Sequence, residues 1–447
     1  MINPLIIRYG IFPIHQYKTK RRAGAWHKKL FRNQWMDQAG LNAWQEEKLR
    51  NILRHAQNHV PFYTNLFQAN HVNIEAQDIR KEFFRIPLLT KIVIRENMDR
   101  LQAKDKIRVY TTVRTSGSTG SPVAWNVDRQ CEDIHNAIKR RGRESFGFHV
   151  GESQVWLWGR DEFGGGKKAM RDLFIHNKRI LGLLDLSRET VGGFYSKLQQ
   201  WKPSFLYGYP SGFFQLTSLC KEKGYALNRL GVKAIITTAE ILTEPHRQAI
   251  EQAFGCQVIN EYGCAEAQII ACECASGNMH MNADTLMVEF LKEGQPVKPG
   301  ETGDVVVTDL FNEVMPLIRY RVGDSGGPKQ GPCSCGRTLP LMEITIGRAV
   351  EMVKLADGRL LHPEIFTPPH ENPIFRLVER FKVFQEGISD FRVQVVAPAE
   401  QFEALSRLFT ELIESQVGKG LKIKVERVSE IPRDPSGKLR YFECRVP

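Results

Sequence analysis

The sequence predicts an α/β protein, in which a large N-terminal domain with parallel-type sheets precedes a small, mobile C-terminal α+β domain. From about residue 108 to residue 345, short β-branched runs alternate with helical stretches, and the clearest strands are 154–158, 233–238, 257–260 and 304–308. Between two of these strands, residues 244–254 form a helical stretch that ends at Gly255. Strands and helices that alternate at these lengths are typical of parallel α/β units and not of a β-sandwich.

The start of the chain, residues 1–105, is predicted to be mostly helical. Residues 42–60 place Trp44, Leu49 and Ile52 at helical spacing, and Pro61 ends the pattern. This helical segment is expected to form part of the large domain.

The tail is predicted to be a separate small lid domain, 347–447, which leaves 1–346 as the large domain. Residues 391–396 alternate as a strand, and 401–416 place their apolar side chains on one face of a helix. Residues 421–428 alternate again. This order gives a β-α-β unit.

Composition excludes several classes of protein. The chain has 447 residues, of which 42% are hydrophobic and 25% charged, as in ordinary globular proteins. At ~150 residues per unit, the length corresponds to about three domain-sized units. No apolar run approaches the ~20 residues that span a bilayer, and the first residues lack the apolar core of a signal peptide. A cytoplasmic enzyme is therefore expected, and the sequence leaves open whether it forms a homodimer.

The net charge of +12 is partly concentrated in one basic arm, 18–22, which continues to Lys28, Lys29 and Arg32. Such an arm suits a solvated helix or a surface that receives polyanionic substrates such as ATP and CoA. Contact with an anionic membrane, at most peripheral, is a second interpretation. Specific nucleic-acid binding is not expected, because no base-stacking aromatic pattern accompanies the charges.

A loop rich in small and hydroxyl residues, 115–122 (TSGSTGSP), follows the strand-like stretch 108–113. Small residues let backbone N–H groups approach an anion, and the hydroxyl groups add donors for phosphate oxygens. The loop lacks the Gly-Lys-Ser/Thr of a Walker motif. It indicates either a phosphate-binding loop or an ordinary surface loop.

A second motif, 260–266 (NEYGCAE), directly follows a strand. An aromatic residue at the end of a strand, here Tyr262, can cover a purine, and a carboxylate four residues later, Glu266, can hold Mg²⁺ beside phosphates. The alternative is a buried tyrosine followed by a surface glutamate.

Two further motifs lie nearer the C-terminus. Residues 300–304 (GETGD) and 316–324 (PLIRYRVGD) offer carboxylates fixed after glycine turns, which suit the two hydroxyls of a ribose or a salt-bridged turn. Residues 432–440 (PRDPSGKLR) form a loop punctuated by proline and glycine, with Lys438 at its tip. A lysine there can offset charge on a transferring phosphoryl group, although a solvated basic turn fits equally well.

In this order and spacing the four motifs resemble the adenylate-forming superfamily of acyl-CoA synthetases, peptide-synthetase adenylation domains and luciferases. The resemblance is strongest to the phenylacetate–CoA ligase branch, including its capsule-polysaccharide biosynthesis members. Supporting segments are 205–211 (FLYGYPS), 235–242 (IITTAEIL) and 312–320 (NEVMPLIRY). The similarity extends from roughly residue 111 to residue 438.

The resemblance implies a role for each matching residue. The phosphate loop would close over the β- and γ-phosphates of ATP, with Thr119 among the catalytic residues. Glu266 would bind Mg²⁺, and Lys438 would bridge the substrate carboxylate and the α-phosphate. Tyr262 would stack on adenine, Asp324 would hold the ribose, and Arg348 would mark the hinge between the domains. The nucleotide-binding residues implied are Ser116, Gly117, Ser118, Thr119, Gly120, Ala239, Glu240, Tyr262, Gly263, Asp324 and Arg348.

Two departures from the family pattern affect these expectations. Ser121 stands where the loop usually carries a lysine, which weakens the expected grip on phosphate. After the hinge arginine, Ala349 and Val350 replace the usual acidic residue, and Glu351 is the nearest carboxylate. The second departure bears on the domain rotation and hence on the thioester-forming step.

Cysteine and histidine residues next to these motifs suggest a metal site. Three thiolates and one imidazole satisfy a closed tetrahedral Zn²⁺ shell. The pattern Cys274, His280, Cys333 and Cys335 resembles the structural zinc site of many phenylacetate–CoA ligase relatives, with Cys272 as an alternative ligand. A fully ligated zinc would stabilise the fold and take no part in the chemistry. The alternative is a set of unrelated buried thiols.

The expected activity is Mg·ATP-dependent activation of a carboxylic acid as an acyl-adenylate, followed by transfer to CoA. Two alternatives stay open. The acyl group would pass to an amine or hydroxyl in capsule biosynthesis, or the chain would be a catalytically silent nucleotide-binding scaffold. The acid is not fixed by the sequence, although its pocket is expected near residues 156–158, 207–211 and 237–238.

Overall fold

A computed structural model describes residues 2–105, 109–114, 124–158, 167–183, 186–346, 352–361, 363–366, 374–378, 380–431 and 441–446. The α-helices are α1 (Pro4–Ile6), α2 (Phe12–Lys18), α3 (Ala23–Asn33), α4 (Gln38–His59), α5 (Pro61–Ala69), α6 (Ile79–Phe83), α7 (Lys91–Glu96), α8 (Arg129–Glu144), α9 (Lys167–His176), α10 (Val191–Trp201), α11 (Pro210–Glu222), α12 (Glu244–Phe254), α13 (Ile374–Leu377) and α14 (Phe402–Val417). A π-helical segment, Ile7–Ile11, joins α1 to α2, and 3₁₀ turns occupy Leu227–Leu230, Pro363–Phe366 and Ala399–Gln401.

The strands of the large sheet begin at residue 154. They are β3 (Gln154–Trp158), β4 (Lys178–Gly182), β5 (Phe205–Gly208), β6 (Ala234–Thr237), β7 (Gln257–Cys264), β8 (Gln268–Glu273), β9 (Met279–Met281), β10 (Leu286–Lys292), β11 (Gln295–Pro296), β12 (Gly303–Asp309), β13 (Tyr320–Lys329) and β14 (Leu341–Ile346). Outside it lie β1 (Thr111–Arg114), β2 (Ala124–Val127), β15 (Val353–Lys354), β16 (Leu360–Leu361), β17 (Arg380–Gly387), β18 (Asp390–Val396), β19 (Lys422–Arg427) and β20 (Phe442–Cys444).

The large sheet is parallel in one half and antiparallel in the other. Its strand order is β11-β10-β12-β13-β14-β9-β8-β7-β6-β5-β3-β4. The change occurs within β7, whose first four residues pair in parallel with β6 and whose last four pair antiparallel with β8. The predicted α/β fold with parallel units is therefore confirmed. The motif 260–266 lies where the two halves join.

The parallel half is covered by amphipathic helices. Thr243 accepts a hydrogen bond from the N–H of His246 and so caps α12, and Gly255 ends it at a φ of +68°. The buried side chains of α10, α11 and α12 pack on β3, β5, β6 and β7. Predicted strands 154–158, 233–238 and 257–260 correspond to β3, β6 and the parallel part of β7.

The N-terminal helices pack on the antiparallel half. Leu49, Ile52 and Leu53 of α4 are fully buried with apolar residues of β10, β12 and β13. Pro61 ends α4, as the sequence predicts, but it also begins α5, because its fixed φ suits the first position of a helix. Within the described residues no helix is long and apolar enough to cross a membrane.

The tail has its own sheet and its own core. Strand order is β19-β18-β17-β20, and α14 crosses between the parallel neighbours β18 and β19. Phe381, Phe409 and Ile413 are fully buried in a cluster that contains only residues from Val353 onward. The β-α-β unit is present, and β17 and β20 extend it to four strands.

Candidate active site

The predicted adenine and ribose residues are neighbours. Tyr262 lies in β7, where the strand passes from its parallel to its antiparallel partner, and its hydroxyl donates to Oδ2 of Asp324 at 3.2 Å. Asp324 lies in β13, after Gly323 at a φ of +91°. The ring and the carboxylate thus meet beside the point where the parallel half of the sheet passes into the antiparallel half.

Gly263 is required by a close backbone approach. A Cβ atom at this position would lie 1.8 Å from the carbonyl oxygen of Gln268 on the adjacent strand. Any side chain would therefore separate β7 from β8 and displace the turn that carries Glu266. The glycine of the motif therefore meets a packing requirement, and its contact with nucleotide stays a prediction.

Glu266 is buried and already has two polar neighbours. The Tyr320 hydroxyl donates to its Oε1 at 2.6 Å, and Lys91 Nζ lies 3.9 Å from the same oxygen. The contacts of Tyr320 and Lys91 with Glu266 could not be predicted from the sequence, because neither residue belongs to the short motif around Glu266. The result is a carboxylate fixed in orientation beside a cation.

Lys91 reaches Glu266 because the chain before it is attached to β13. The N–H of Leu89 donates to the carbonyl of Arg319, and the N–H of Arg321 donates to the carbonyl of Leu89, both at 2.9 Å. Thr90 then caps α7 by accepting from Val93 N–H. Lys91 is the first residue of that helix.

Arg319 fastens the same region from beneath. Its guanidinium forms a buried ion pair with Glu289 and donates to the carbonyls of Phe84 and Ile86. It therefore links the N-terminal helices to the antiparallel half of the sheet. Arg319, in the motif 316–324, therefore has a structural role.

Ala239 and Glu240 follow the carboxyl end of β6. Ala239 has a φ of +67°, a left-handed conformation that turns the chain sharply after the strand. Glu240 accepts hydrogen bonds from the N–H and the hydroxyl of Ser211 at 3.0 and 2.9 Å. Its carboxylate thus holds the start of α11.

Four aromatic residues lie together at the carboxyl ends of β3 and β5. Trp158 stacks on Tyr209 with ring centroids 4.3 Å apart, and Trp156 lies 4.5 Å from Tyr207. The strand order places β4 and β5 on opposite sides of β3, and ligands of such sheets bind at this kind of reversal. The predicted substrate segments therefore converge on one aromatic wall.

A buried ion pair supports this wall. Arg143 donates to both oxygens of Glu261 at 2.6 and 2.7 Å, and its guanidinium lies over the Tyr207 ring at 4.8 Å. Burial and the Glu261 charge raise the pKa of Tyr207 to about 12, so the phenol is neutral at physiological pH. Neither Arg143 nor Glu261 was singled out from the sequence.

Several predicted residues fall outside the described part of the chain. They are Ser116, Gly117, Ser118, Thr119, Gly120, Ser121, Arg348 and Lys438. The strands that flank the loop are described, and Arg114 pairs with Ala124 across β1 and β2. The two ends of the loop are thus held side by side.

The four predicted zinc ligands form one cluster. Their ligand atoms all lie within 4.8 Å of one another. Cys274 Sγ is 3.6 Å from Cys333 Sγ, and Cys335 Sγ is 3.3 Å from His280 Nε2. A tetrahedron with Zn–S bonds of ~2.3 Å has an S···S edge of about 3.8 Å, so these separations fit a zinc ion.

The histidine of this cluster is oriented by the backbone. His280 Nδ1 lies 2.9 Å from the carbonyl oxygen of Leu339, which can only accept, so Nδ1 carries the proton and Nε2 faces the thiols. Cys272 is not part of the cluster. It packs under α8, where a Cβ on Gly142 would lie 2.6 Å from its sulfur.

Comparisons with known proteins agree with this geometry. Residues 370–443 match the family model of the CapK C-terminal domain. The chain is 25% identical over 436 residues to phenylacetate-coenzyme A ligase of Thermus thermophilus, with 90% of this chain and 95% of that protein covered. It is 23% identical over 409 residues to protein CapK of Staphylococcus aureus, covering 89% and 88%.

The fold is shared with a solved ligase. The structure of 2-hydroxyisobutyryl-CoA ligase with 2-HIB-AMP and CoA in the thioesterification state has a TM-score of 0.63 and 19% identity, with 92% of this chain and 91% of that chain covered. The chain therefore has the fold of this ligase. Over about nine tenths of its length it is similar to a phenylacetate-coenzyme A ligase and to protein CapK, so the resemblance noted in the sequence is confirmed.

Proposed function

We propose that the chain is an AMP-forming carboxylate ligase, which activates a carboxylic acid as its acyl-adenylate and transfers the acyl group to CoA. The observation that carries the proposal is a pair of hydrogen bonds: Tyr262 donates to Asp324, and Tyr320, in the same strand as Asp324, donates to Glu266. Its homologues are named phenylacetate–CoA ligases, and a structural neighbour is a ligase with an acyl-AMP and CoA. These relationships support the same two-step reaction.

The first step requires positive charge around the α-phosphate. The acid's carboxylate oxygen bonds to the α-phosphorus, and the bond to the leaving pyrophosphate breaks. Glu266 would hold Mg²⁺, which supplies charge neutralisation when bound, and Tyr320 fixes its orientation. Lys438, from the tail, would approach the reacting oxygens.

Lys91 would supply a cation that the phosphate loop lacks. The loop has Ser121 in place of the usual lysine, whereas Lys91 Nζ lies 3.9 Å from Glu266. A second cation beside the proposed magnesium ligand would stabilise the β- and γ-phosphates and the departing pyrophosphate. With Lys91 in this role, the reaction would not require a lysine at position 121.

The acid would occupy the space beside the aromatic wall. Trp156, Trp158, Tyr207 and Tyr209 present rings at the carboxyl ends of β3 and β5. Rings of this kind favour an apolar or aryl acyl group. The buried Arg143 below Tyr207 is already paired with Glu261 and would not bind a carboxylate.

Acceptance of the acyl group would follow a rotation of the small domain. Residues 347–447 would turn about the region of Arg348, remove Lys438 and admit CoA. An amine or hydroxyl in capsule biosynthesis, the alternative given by the sequence resemblance, would be the second acceptor. Zinc held by Cys274, His280, Cys333 and Cys335 would stabilise the fold.

Pyrophosphate release tests the proposal. Purified protein is incubated with Mg·ATP and with aryl, fatty, hydroxy and amino acids in turn, without CoA. Release that depends on one class of acid is expected, and CoA, amines or sugars added next identify the acceptor. ATP binding without release for any acid would instead support a silent nucleotide-binding scaffold.

A further inference from the structure

The outer face of the N-terminal helix is apolar. From Pro4 to Lys18, α1, the π-helical segment and α2 follow one another without a break. The large apolar side chains on the solvent side are Leu5, Ile6, Tyr9, Ile14 and Tyr17. Tyr9 is 74% exposed and Tyr17 is 87% exposed. A helix on the surface of a soluble domain ordinarily turns charged side chains to this side.

The opposite face attaches the helix firmly to the large domain. Ile7 is fully buried, and Arg8, the only Lys, Arg, Asp or Glu between Pro4 and Tyr17, donates to the Val150 carbonyl and pairs with Glu152. Asn177 exchanges hydrogen bonds with the backbone of Ile2 at 2.9 and 2.8 Å. These contacts fix the orientation of the helix on the large domain, so its apolar outer face is held toward solvent.

The π-helical segment aligns the exposed residues. Leu5, Tyr9, Pro13 and Tyr17 recur every four residues. In a regular α-helix such a row drifts around the axis, because a turn holds 3.6 residues. The wider π turn at Ile7–Ile11 reduces the drift and keeps the row on one side. Next to it, α9 packs on the π segment and exposes Met170 and Phe174.

Positive charge surrounds this surface. Residues 1–36 contain eight Lys and Arg residues and no Asp or Glu, so most of the net charge of +12 lies here. The basic side chains that are exposed are Lys18, Lys20, Arg22, Lys28, Lys29 and Arg32. The sequence revealed the basic arm, but only the structure shows that an apolar face precedes it.

We propose that the outer face of residues 4–18, with the basic residues that follow, docks the protein on an anionic phospholipid surface. An exposed apolar helical face with tyrosines and flanking lysines and arginines matches the chemistry of a lipid interface. A second copy of the chain fits less well. A two-fold contact would bring the same patch of each copy together, and their like charges would repel.

Vesicle flotation tests the docking. The full chain is mixed with phosphatidylcholine vesicles, either pure or containing about one third phosphatidylglycerol. We expect at least about tenfold stronger partitioning to the anionic vesicles and its loss at high salt. Failure to bind anionic vesicles would overturn the proposal.

Paired variants separate the apolar and charged contributions. Ile6→Asp/Ile14→Asp and, separately, Lys18→Glu/Lys20→Glu should each lower vesicle binding about tenfold or more. The matched controls, Ile388→Asp and Lys419→Glu on the small domain, should bind as the parent does. Pyrophosphate release in solution and the thermal unfolding midpoint should not change in any of the four variants.

Two results would contradict the assignment. Vesicle binding that survives both double substitutions would place the contact elsewhere. A concentration-dependent dimer that Ile6→Asp/Ile14→Asp abolishes, without vesicle binding by the parent, would assign the face to a second copy. Because pyrophosphate release is measured without vesicles, neither result bears on the proposed ligase activity.

Discussion

Tyr262 and Asp324 are 62 positions apart in sequence but share a hydrogen bond. This contact gives Tyr262 two separable tasks. Its ring would cover the adenine, and its hydroxyl would orient the carboxylate that receives the ribose. Substitutions that remove the ring or only the hydroxyl therefore distinguish stacking from orientation.

Replacing Tyr262 by alanine should raise the KM for ATP about tenfold or more, because both the ring and the hydrogen bond are lost and ~1.4 kcal/mol corresponds to a factor of ten. Tyr262→Phe keeps the ring, so its increase should be several times smaller. Steady-state kinetics with varied ATP measures both. Equal effects of the two variants would contradict a stacking role, and Tyr195→Phe, a tyrosine of the α10 packing layer, serves as the control.

The buried Arg143–Glu261 ion pair leads to a prediction about the stability of the protein. Arg143→Met leaves the buried Glu261 carboxylate uncompensated, so we expect a loss of roughly 3–5 kcal/mol in stability. The same change at the exposed Arg54, which pairs with Glu75, should leave stability almost unchanged, because solvent screens this ion pair. Thermal unfolding compares the two. A small effect of Arg143→Met would mean that the pair does not support the aromatic wall.

Among the elements, the regular ones could be predicted from the sequence. Residues 154–158 and 244–254 match β3 and α12, since alternation, a threonine cap and a terminal glycine are local signals. β17 and β20 were missed. β20 has three residues and pairs in parallel with β17, 59 or more positions away, so the pairing is a non-local contact without a short-range pattern.

In the candidate site, too, residues within local motifs could be predicted from the sequence, and residues brought in by distant contacts could not. Motif residues such as Tyr262, Glu266 and Asp324 carry a recognisable pattern. Lys91 belongs to none of the motifs. Tyr320 lies in the motif 316–324, but its contact with Glu266 carries no local signal, because it depends on how β13 packs beside Leu89 and β7. Likewise, the apolar face of residues 4–18 depends on which side of the helix is buried, and the π turn hides that periodicity.

The cluster of Cys274, His280, Cys333 and Cys335 joins the turns between two pairs of strands. Cys274 and His280 flank the turn between β8 and β9, and Cys333 and Cys335 lie in the turn between β13 and β14. Metal analysis of the purified chain should find one zinc per chain, and Cys335→Ser should lower both zinc content and the unfolding midpoint. The control Cys272→Ser should retain the metal. A full complement of zinc in Cys335→Ser would contradict the ligand set.

In the whole molecule, the proposed nucleotide site belongs to the large domain, whereas Lys438, the proposed catalytic lysine, belongs to the small domain. The small domain has an independent core of residues from Val353 onward. Such a division suits a domain that rotates between two half-reactions, because its packing survives the movement. The lysine should then act in one half-reaction alone.

Lys438→Ala should lower acid-dependent pyrophosphate release by about a thousandfold, because it removes a cation from the site of charge development. Thioester formation from chemically prepared acyl-adenylate and CoA should be retained. The matched control, Lys419→Ala, should affect neither rate. Equal losses in both half-reactions would mean that Lys438 does not leave the site.

The path of the acid's oxygen tests whether the reaction passes through an acyl-adenylate. The acid is labelled with heavy oxygen (¹⁸O) in its carboxylate, and the nucleotide released after transfer to the acceptor is analysed by mass spectrometry. An acyl-adenylate requires AMP that carries one labelled oxygen, because the acceptor attacks the carbonyl carbon and AMP leaves with the bridging oxygen. Unlabelled AMP, or ADP with labelled phosphate, would contradict the adenylation mechanism.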